Sequence, residues 1–184
     1  MSDDFPSASL QRAAANALPP VERWNPPHCG DIDIRIARDG TWFHQGTAIA
    51  RKELVRLFST LLRKDPDGYH LVTPAEKLRI AVDDAPFVAV LAEAEGEGRE
   101  QRLVFTTNVG EVTVAGRGNP IRVETNPVTL EPSPYVHVRR GLEAKIARSA
   151  FYHLADLAVP GEDKHEGTLG VWSCGVFFVL GQLA

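Results

Sequence analysis

Two arginines stand at matching places in the sequence, each at the end of the same three-residue string. Residues 49–51 and 146–148 both read IAR, and an amphipathic run follows each copy. A guanidinium group binds phosphate and carboxylate groups well because its planar fork donates two hydrogen bonds at once. Arg51 and Arg148 are therefore candidate anion-binding residues. The alternative is that each arginine ties its helix to a neighbouring sheet through an ion pair.

Further polar residues lie where a ligand could contact them. Thr107 and Asn108 end a predicted strand and offer hydroxyl and amide groups to a ribose or phosphate, although a turn explains the same residue types. Tyr69 follows a predicted turn, and its ring either stacks on a ligand or packs within a strand. Asp84 either contacts a ligand, caps a turn or pairs with an arginine.

No complete catalytic or metal-binding pattern accompanies these residues. Asp83 and Asp84 are adjacent on a predicted strand, so their side chains point to opposite faces and do not form one acid–base pair. The histidines show no metal-ligand spacing, and Cys29 and Cys174 are too few for a zinc site. Cys174 lies in SCG, which is not a GxSxG nucleophile elbow. We expect no metal, no cofactor and no catalytic residue, and we expect both cysteines to be reduced and buried.

The composition is that of a globular protein without a strong charge. Of the 184 residues, 43% are hydrophobic and 24% are charged, and the net charge is −4, so we expect no broad nucleic-acid surface. The most basic stretch, residues 117–148, has six Lys or Arg against three Asp or Glu. It contains Arg139, which is a further candidate ligand contact or part of a solvated face. The sequence begins without the apolar core of a signal peptide, and no apolar run approaches the ~20 residues of a membrane span. We expect a soluble, cytoplasmic protein.

Local patterns predict strands around two main helices. DIDIRIA at residues 31–37 alternates apolar and charged side chains, as a half-buried strand does. RKELVRLFSTLLRK at residues 51–64 has apolar residues at three- and four-residue spacing, which predicts a helix that runs to the turn DPDG. ARSAFYHLADLA at residues 147–158 predicts the second helix, which follows a strand at residues 135–138 and a turn at Arg140.

The two IAR strings belong to a longer internal similarity. At an offset of 97 residues, Leu54 matches Phe151 and Leu57 matches Leu154, so the apolar stripes of the two helices stay in register. Each copy reads strand, turn, IAR, helix, turn, strand, which predicts a duplication. The alternative is that any two helix–strand units of an α+β protein look this similar.

The predicted organisation is therefore an α+β fold of two related halves. Each half is a small, mostly antiparallel sheet with one main helix. The N-terminal half comprises residues 28–84 and the C-terminal half residues 85–184, after an N-terminal arm at residues 1–27 in which residues 10–18 favour a short Ala-rich helix. Two such halves tend to leave a cleft between them, and small-molecule sites favour such places.

Several strings in combination resemble a bacterial family of unknown function, DUF 1285. They are GDIDIRIARDGTW, IARKELVRLF, DGYHLVTPAEK, VDDAPF, FTTNVG and SCGVFFVLG, and the resemblance extends from about Trp24 to Leu183. It implies a duplicated small α/β motif whose C-terminal half is similar to a pleckstrin-homology domain. It also implies a groove between the halves for a nucleotide-like ligand, and a role in signal transduction, with no established activity.

The sequence thus favours a non-enzymatic ligand-binding or regulatory protein with a pocket at the junction of its halves for a small anion. Arg51, Arg148, Tyr69, Asp84, Thr107, Asn108 and Arg139 are the predicted ligand contacts. A protein-interaction module without a small-molecule ligand is the alternative, and an enzyme is the least favoured class.

Overall fold

The computed structural model describes residues 18–183, and the chain divides into two compact units. The N-terminal unit ends at Asp84 and the C-terminal unit begins at Ala85. Each unit contains one α-helix and mostly antiparallel strands, so the predicted α+β class with two sheet-rich halves is confirmed. The short helix predicted for the arm, at residues 10–18, lies outside the described residues except for Leu18.

The N-terminal unit is built from two three-stranded meanders with a helix between them. Its elements are β1 (His28–Ile36), β2 (Trp42–His44), β3 (Thr47–Ala48), α1 (Lys52–Thr60), β4 (Leu62–Asp65), β5 (Gly68–Val72) and β6 (Lys77–Val82). The strands form one sheet in the order β3-β2-β1-β6-β5-β4. Neighbours are antiparallel except β1 and β6, which pair in parallel and so join the two meanders.

Side-chain alternation along β1 determines which face of this sheet is buried. Ile34 and Ile36 are buried, whereas the intervening Arg35 is exposed. Trp42 on β2 lies beside Phe58 of α1, with ring centroids 6.2 Å apart. Burying a large apolar side chain stabilises a fold by about 1.5–3 kcal/mol, so packing of the apolar stripe holds the nine-residue α1 on the sheet. An isolated helix of that length is marginal in water.

The first helix is shorter than the sequence predicts. It ends at Thr60 instead of continuing to residue 64, and β4 begins at Leu62. The hydroxyls of Ser59 and Thr60 donate to backbone carbonyls three residues earlier, at 2.7 Å each, which competes with helix continuation. The turn DPDG then pairs β4 with β5 in a hairpin. The prediction was wrong here because leucines at helical spacing continue into the strand.

The C-terminal unit contains the remaining strands in two sheets. Its elements are β7 (Phe87–Glu95), β8 (Arg102–Thr107), β9 (Val112–Val114), β10 (Ile121–Thr125), β11 (Pro132–Arg139), β12 (Leu142–Ile146), α2 (Arg148–Asp156), β13 (Val159–Pro160), β14 (Thr168–Ser173) and β15 (Val176–Gln182). One sheet has the order β10-β11-β12-β7-β8-β9 and the other β13-β14-β15. The pair β12 and β7 is parallel and the other pairs are antiparallel.

The sequence prediction missed β12 and placed the second helix directly after the turn at Arg140. The signal was present, since Leu142, Ala144 and Ile146 are buried in alternation with two charged residues. Only the following residues form α2, so the second IAR string spans the end of a strand and the start of a helix.

The predicted duplication has a clear counterpart in the strand order. Meander, helix and meander follow one another as β1–β3, α1 and β4–β6 in the N-terminal unit, and as β10–β12, α2 and β13–β15 in the C-terminal unit. The two copies differ in how their first and last strands meet. In the N-terminal unit β1 and β6 are hydrogen-bonded, whereas their counterparts β10 and β15 touch without joining one sheet within the described chain.

Within residues 18–183, no helix has both the length and the apolar character that crossing a membrane requires.

Close packing in the β14–β15 hairpin gives the first testable prediction. Gly170 has no room for a side chain, because a Cβ atom there would lie 2.3 Å from the Phe178 carbonyl oxygen and 2.6 Å from Cζ of Phe177. We expect Gly170→Ala to lower the free energy of unfolding by about 1–3 kcal/mol, as overpacked cores do. Urea denaturation measures this change. Gly118→Ala is the matched control, since nothing lies within 4 Å of its Cβ position, and its effect should stay within about 0.5 kcal/mol. Equal stability of the two variants would contradict the packing argument.

Candidate functional site

The two arginines of the IAR strings lie in similar surroundings. Arg51 is the exposed N-cap residue of α1 and lines a cavity of about 330 Å³ with Leu54. Arg148 is the exposed first residue of α2 and lines a cavity of about 320 Å³ with Tyr152. Neither guanidinium forms an ion pair with any residue between 18 and 183. The helix-tying ion pairs that were the alternative reading are therefore not found in the described chain.

Thr107, Asn108 and Arg139 come together at the ends of β7 and β8, where protein groups already engage them. Thr107 Oγ1 accepts the Glu111 N–H at 3.0 Å, and Asn108 Oδ1 accepts the Val88 N–H at 3.0 Å. Arg139 Nε donates to Glu111 Oε1 at 2.7 Å. These contacts fix a turn and compensate the guanidinium charge. To contact a ligand, these three residues would have to give up their present hydrogen bonds within the protein.

Tyr69 and Asp84, both in the N-terminal unit, also have neighbours of their own. Tyr69 is half-buried on β5, with Lys64 Nζ 5.5 Å from its ring centroid. The Asp84 carboxylate lies 3.9 Å from Arg38 Nε, while adjacent Asp83 pairs with a different arginine at 2.6 Å. The two carboxylates thus belong to separate ion pairs, although strand β6 ends at Val82 and both residues lie in the bend that follows it.

A cavity of about 570 Å³ in the C-terminal unit, here called the Trp172 cavity, combines aromatic and cationic side chains. Three parts of the chain contribute to it: the segment that precedes β8, the loop after β9, and residues 162–177 of the last meander. The lining residues are Arg99, Arg117, Glu162, Asp163, Lys164, His165, Trp172, Gly175, Val176 and Phe177.

The aromatic wall of the Trp172 cavity is a continuous series of ring contacts. The His165 and Phe177 ring centroids are 5.0 Å apart, and those of Phe177 and Trp172 are 5.2 Å apart. Arg99 Cζ lies 4.8 Å from the Trp172 ring centroid, in cation–π geometry. Gly170 makes this wall possible, because the Phe177 ring occupies the space that a side chain there would fill.

The charges around the Trp172 cavity are unequally paired. Arg99 Nη2 meets Glu162 Oε2 at 2.5 Å. The side chains of Arg117 and Lys164 make no ion pair or hydrogen bond within the described chain. The rim therefore offers two cations to an anion beside a flat aromatic wall. The site was not predicted from the sequence, because its lining residues lie up to 78 positions apart, from 99 to 177, and no local motif joins them.

The expectation that both cysteines are buried is wrong. Cys29 and Cys174 were expected to be buried, and both are exposed free thiols. Cys29 is the second residue of β1, and Cys174 occupies the β14–β15 turn with φ +50°. The prediction was based on the usual burial of cysteine. At Cys174 the position in a turn overrides that tendency.

A polar cluster around the buried His70 in the N-terminal unit has the residue types of a metal centre. Asp65, Asp67 and His70 are the one group in the described chain whose ligand atoms lie within 4.8 Å of one another. Three cations already neutralise its two carboxylates. Lys77 Nζ lies 2.6 Å from Asp65, Arg63 Nε 2.8 Å from the same carboxylate, and Arg79 Nη2 2.9 Å from Asp67. A divalent cation would have to displace these partners, so the geometry describes an ion-pair network.

The electrostatics of this cluster favour a neutral imidazole between charged neighbours. His70 is completely buried, and its ring nitrogens lie 3.7 Å from Asp65 and 3.5 Å from Asp67, beyond hydrogen-bond length. Burial, aided by the Lys77 charge, lowers the pKa of His70. Burial alone would raise the pKa of Asp65, but hydrogen bonds from Arg63 and Lys77 outweigh it and hold that pKa below its usual range.

Comparison with known protein families gives two adjacent matches. Residues 19–85 match the N-terminal domain of DUF1285, a domain of unknown function. Residues 86–180 match the C-terminal domain of DUF1285, a protein of unknown function. No curated protein matches the chain.

Two solved structures are similar to the chain. A DUF1285 family protein from Silicibacter pomeroyi DSS-3 is 56% identical, with a TM-score of 0.88, and the match covers 96% of this chain and 94% of that chain. A DUF1285 family protein from Shewanella baltica OS155 is 27% identical, with a TM-score of 0.54, and the match covers 67% of this chain and 90% of that chain.

The buried imidazole predicts a specific pH dependence of stability. Since the pKa of His70 is lower in the folded protein than in the unfolded chain, the unfolded chain binds more protons between the two values. The free energy of unfolding should therefore decrease as the pH falls below the unfolded value of about 6.5. In His70→Gln this decrease should be smaller, as measured by thermal unfolding between pH 7.5 and 5. His153→Gln, at an exposed position, should keep the wild-type slope. An unchanged slope in His70→Gln would contradict the assignment.

Proposed function

Because the chain belongs to the DUF1285 family, whose function is unknown, we propose from its own geometry that it is a ligand-binding regulatory protein. Its ligand is a small, flat, nucleotide-like anion that occupies the Trp172 cavity. A role in signal transduction and a pleckstrin-homology-like arrangement of the C-terminal unit are parts of the same proposal.

One observation carries this proposal: two cations without acidic partners lie beside an aromatic wall. The volume of about 570 Å³ falls within the ~300–1,000 Å³ that is usual for small-molecule sites. A flat ring would stack against Trp172 or His165, and an attached phosphate or carboxylate would meet Arg117 and Lys164. The Asp163 carboxylate also lines the cavity, but the three cations Arg99, Arg117 and Lys164 outnumber the acids Glu162 and Asp163. Binding of a small anion is therefore the function that this lining supports best.

Arg51 and Arg148 remain predicted ligand contacts, but at two cavities other than the Trp172 cavity. Each is an exposed arginine without an ion pair in the described chain, beside a smaller cavity at the start of its helix. The Arg51 cavity has no Phe, Tyr or Trp in its lining, whereas the Arg148 cavity is also lined by Phe151 and Tyr152. Both are smaller than the Trp172 cavity, so we expect them to accept small anions and the Trp172 cavity to accept the larger, nucleotide-like ligand.

The proposal predicts ligand-dependent stabilisation that depends on two named cations. Nucleoside monophosphates, the matching nucleosides and inorganic phosphate are compared by thermal shift. A saturating ligand should stabilise the fold by about 2.7 kcal/mol at a hundredfold excess over Kd. Arg117→Gln and Lys164→Gln should each weaken binding about fivefold, as the loss of an exposed charge pair of ~1 kcal/mol does.

Three further variants make this experiment specific. Arg56→Gln, an exposed arginine of α1, is the charge-matched control and should bind as the wild type does. Arg51→Gln and Arg148→Gln report on the contacts predicted from the sequence. The proposal fails when no anion shifts the unfolding temperature, and also when Arg56→Gln weakens binding as much as Arg117→Gln.

A protein-interaction role is the second candidate, and the loop between β10 and β11 favours it. Val128 and Leu130 are 87% and 73% exposed. The loop is held in shape by Asn126 Oδ1, which accepts the N–H groups of Val128 and Thr129 at 2.8 and 3.0 Å. Leu130 has φ +57°, a conformation that Asn or Gly adopts at lower cost. Neither its exposure nor its backbone favours leucine for the fold, so its side chain is suited to contacting a partner.

This second role predicts that Leu130 contributes to binding and not to stability. Leu130→Asn should leave the free energy of unfolding unchanged or raise it by about 0.5–1 kcal/mol, as measured by urea denaturation. Protein partners that co-purify with the wild-type chain should be lost. Val128→Asn, which changes apolarity without a positive φ, should lose the partners without the gain in stability. A clear loss of stability in Leu130→Asn would show that the leucine serves the fold.

A further inference from the structure

The two copies of the repeat differ in what covers the outer edge of one strand. Strands β3 and β12 are counterparts, because each is the third strand of its meander and directly precedes the helix. The offset of 97 residues places Ala48 opposite Lys145 and Ala50 opposite Ala147. The two edges can therefore be compared residue by residue.

In the C-terminal unit a parallel strand covers this edge. Strand β7 runs alongside β12, with Phe87 beside Ala144 and Ala89 beside Ile146. The pairing continues to the helix, where the Ala147 N–H donates to the Ala89 carbonyl at 2.9 Å. Phe87 and Ala89 are buried, so β7 adds both backbone hydrogen bonds and apolar contacts.

In the N-terminal unit the same edge has no strand beside it. Strand β3 is the last strand of its sheet, and residues 47, 48 and 50 are exposed. Ile49 donates inward to Trp42, so alternation directs the N–H groups of Ala48 and Ala50 outward. The Ala50 N–H, the counterpart of the bonded Ala147 N–H, makes no hydrogen bond within the described residues.

An apolar cavity lies beside this unpaired edge. Its volume is about 330 Å³, and its lining includes the apolar residues Ala48, Ile49, Ala50 and Leu54. Arg51, the N-cap residue of α1, also lines the cavity and has no ion pair in the described chain. The open edge of β3 thus offers an added strand outward N–H groups, an apolar cavity for a side chain and the positive charge of Arg51.

We propose that the N-terminal unit binds an extended peptide segment that adds to β3 as a parallel strand. The segment has an apolar side chain for the cavity, a small residue two positions later, and an acidic residue beyond it to meet Arg51. The first two features are those of Phe87 and Ala89 on β7, and the third follows from the unpaired guanidinium. Strand addition to an open edge gives affinity through the backbone and specificity through alternate side chains. This binding mode does not depend on the Trp172 cavity.

The test uses a labelled peptide with the sequence of residues 86–93, PFVAVLAE, and the full chain. Fluorescence anisotropy measures binding, and backbone NMR locates the peptide. We expect saturable binding, with the largest amide shifts at Ala48 and Ala50.

Two N-methylated forms of the peptide provide the matched comparison. In the C-terminal unit Ala89 presents its carbonyl to the β12 side, while Val88 bonds to Asn108 on the opposite side. N-methylation at the positions of Phe87 and Ala89 should therefore weaken binding about tenfold, as the loss of two backbone hydrogen bonds does. N-methylation at the positions of Val88 and Val90 should leave it nearly unchanged.

Three results would overturn the proposal. They are the absence of saturable binding, equal affinity of the two N-methylated peptides, and amide shifts outside residues 47–51. Concentration-dependent shifts of the same amides without peptide would show that a second copy of the chain occupies the edge instead. Arg51→Gln should weaken the acidic peptide about threefold and leave a peptide ending in Gln unaffected, which separates the role of Arg51 here from its role as a small-anion contact.

Discussion

The outward N–H and carbonyl groups of a strand edge bond either to another strand or to water, and the covering of such edges differs between the two halves of the molecule. Each unit contains one parallel strand pair that covers such edges. In the N-terminal unit β1 and β6 join the two meanders. In the C-terminal unit β7 joins β12 instead. A parallel neighbour covers only one outer strand of a meander. The outer strand at the other side of that meander is then left as an open edge.

The positions of the two proposed sites follow from the choice of parallel pair. In the N-terminal unit, where β1 and β6 are paired, β3 is left as an edge. In the C-terminal unit, where β12 is covered, β15 remains outside the main sheet. The three-stranded sheet β13-β14-β15 then carries Trp172 and Phe177, which form the wall of the Trp172 cavity. The same meander–helix–meander order therefore leaves an open strand edge in one copy and an aromatic cavity in the other.

The sequence revealed the parts of this arrangement that depend on local periodicity. The alternation of β1, the apolar stripe of α1 and the two IAR strings are properties of neighbouring residues, and the structure has them. Leu62 shows where such reasoning fails, because it continues the helical spacing yet lies in β4. The parallel pair β7 and β12 joins residues near 88 and 145, and the Trp172 cavity joins Arg99 to Phe177. Contacts of that separation have no periodic signature, so neither could be predicted from one sequence.

The buried cluster around His70 shows how residue types can indicate the wrong chemistry when their neighbours are unknown. Two aspartates and a histidine resemble a metal-binding set, but strands β4 and β6 place Arg63, Lys77 and Arg79 around them. Arg63 also donates to the backbone carbonyls of Val21 and Trp24, at 3.0 and 2.7 Å. The Arg63 guanidinium thus compensates the half-buried Asp65 carboxylate and also holds the segment before β1 against the sheet. Removing it would leave both the Asp65 charge and two carbonyls without that donor, and a partly satisfied buried network is costly. The cluster is therefore the polar anchor of the N-terminal unit.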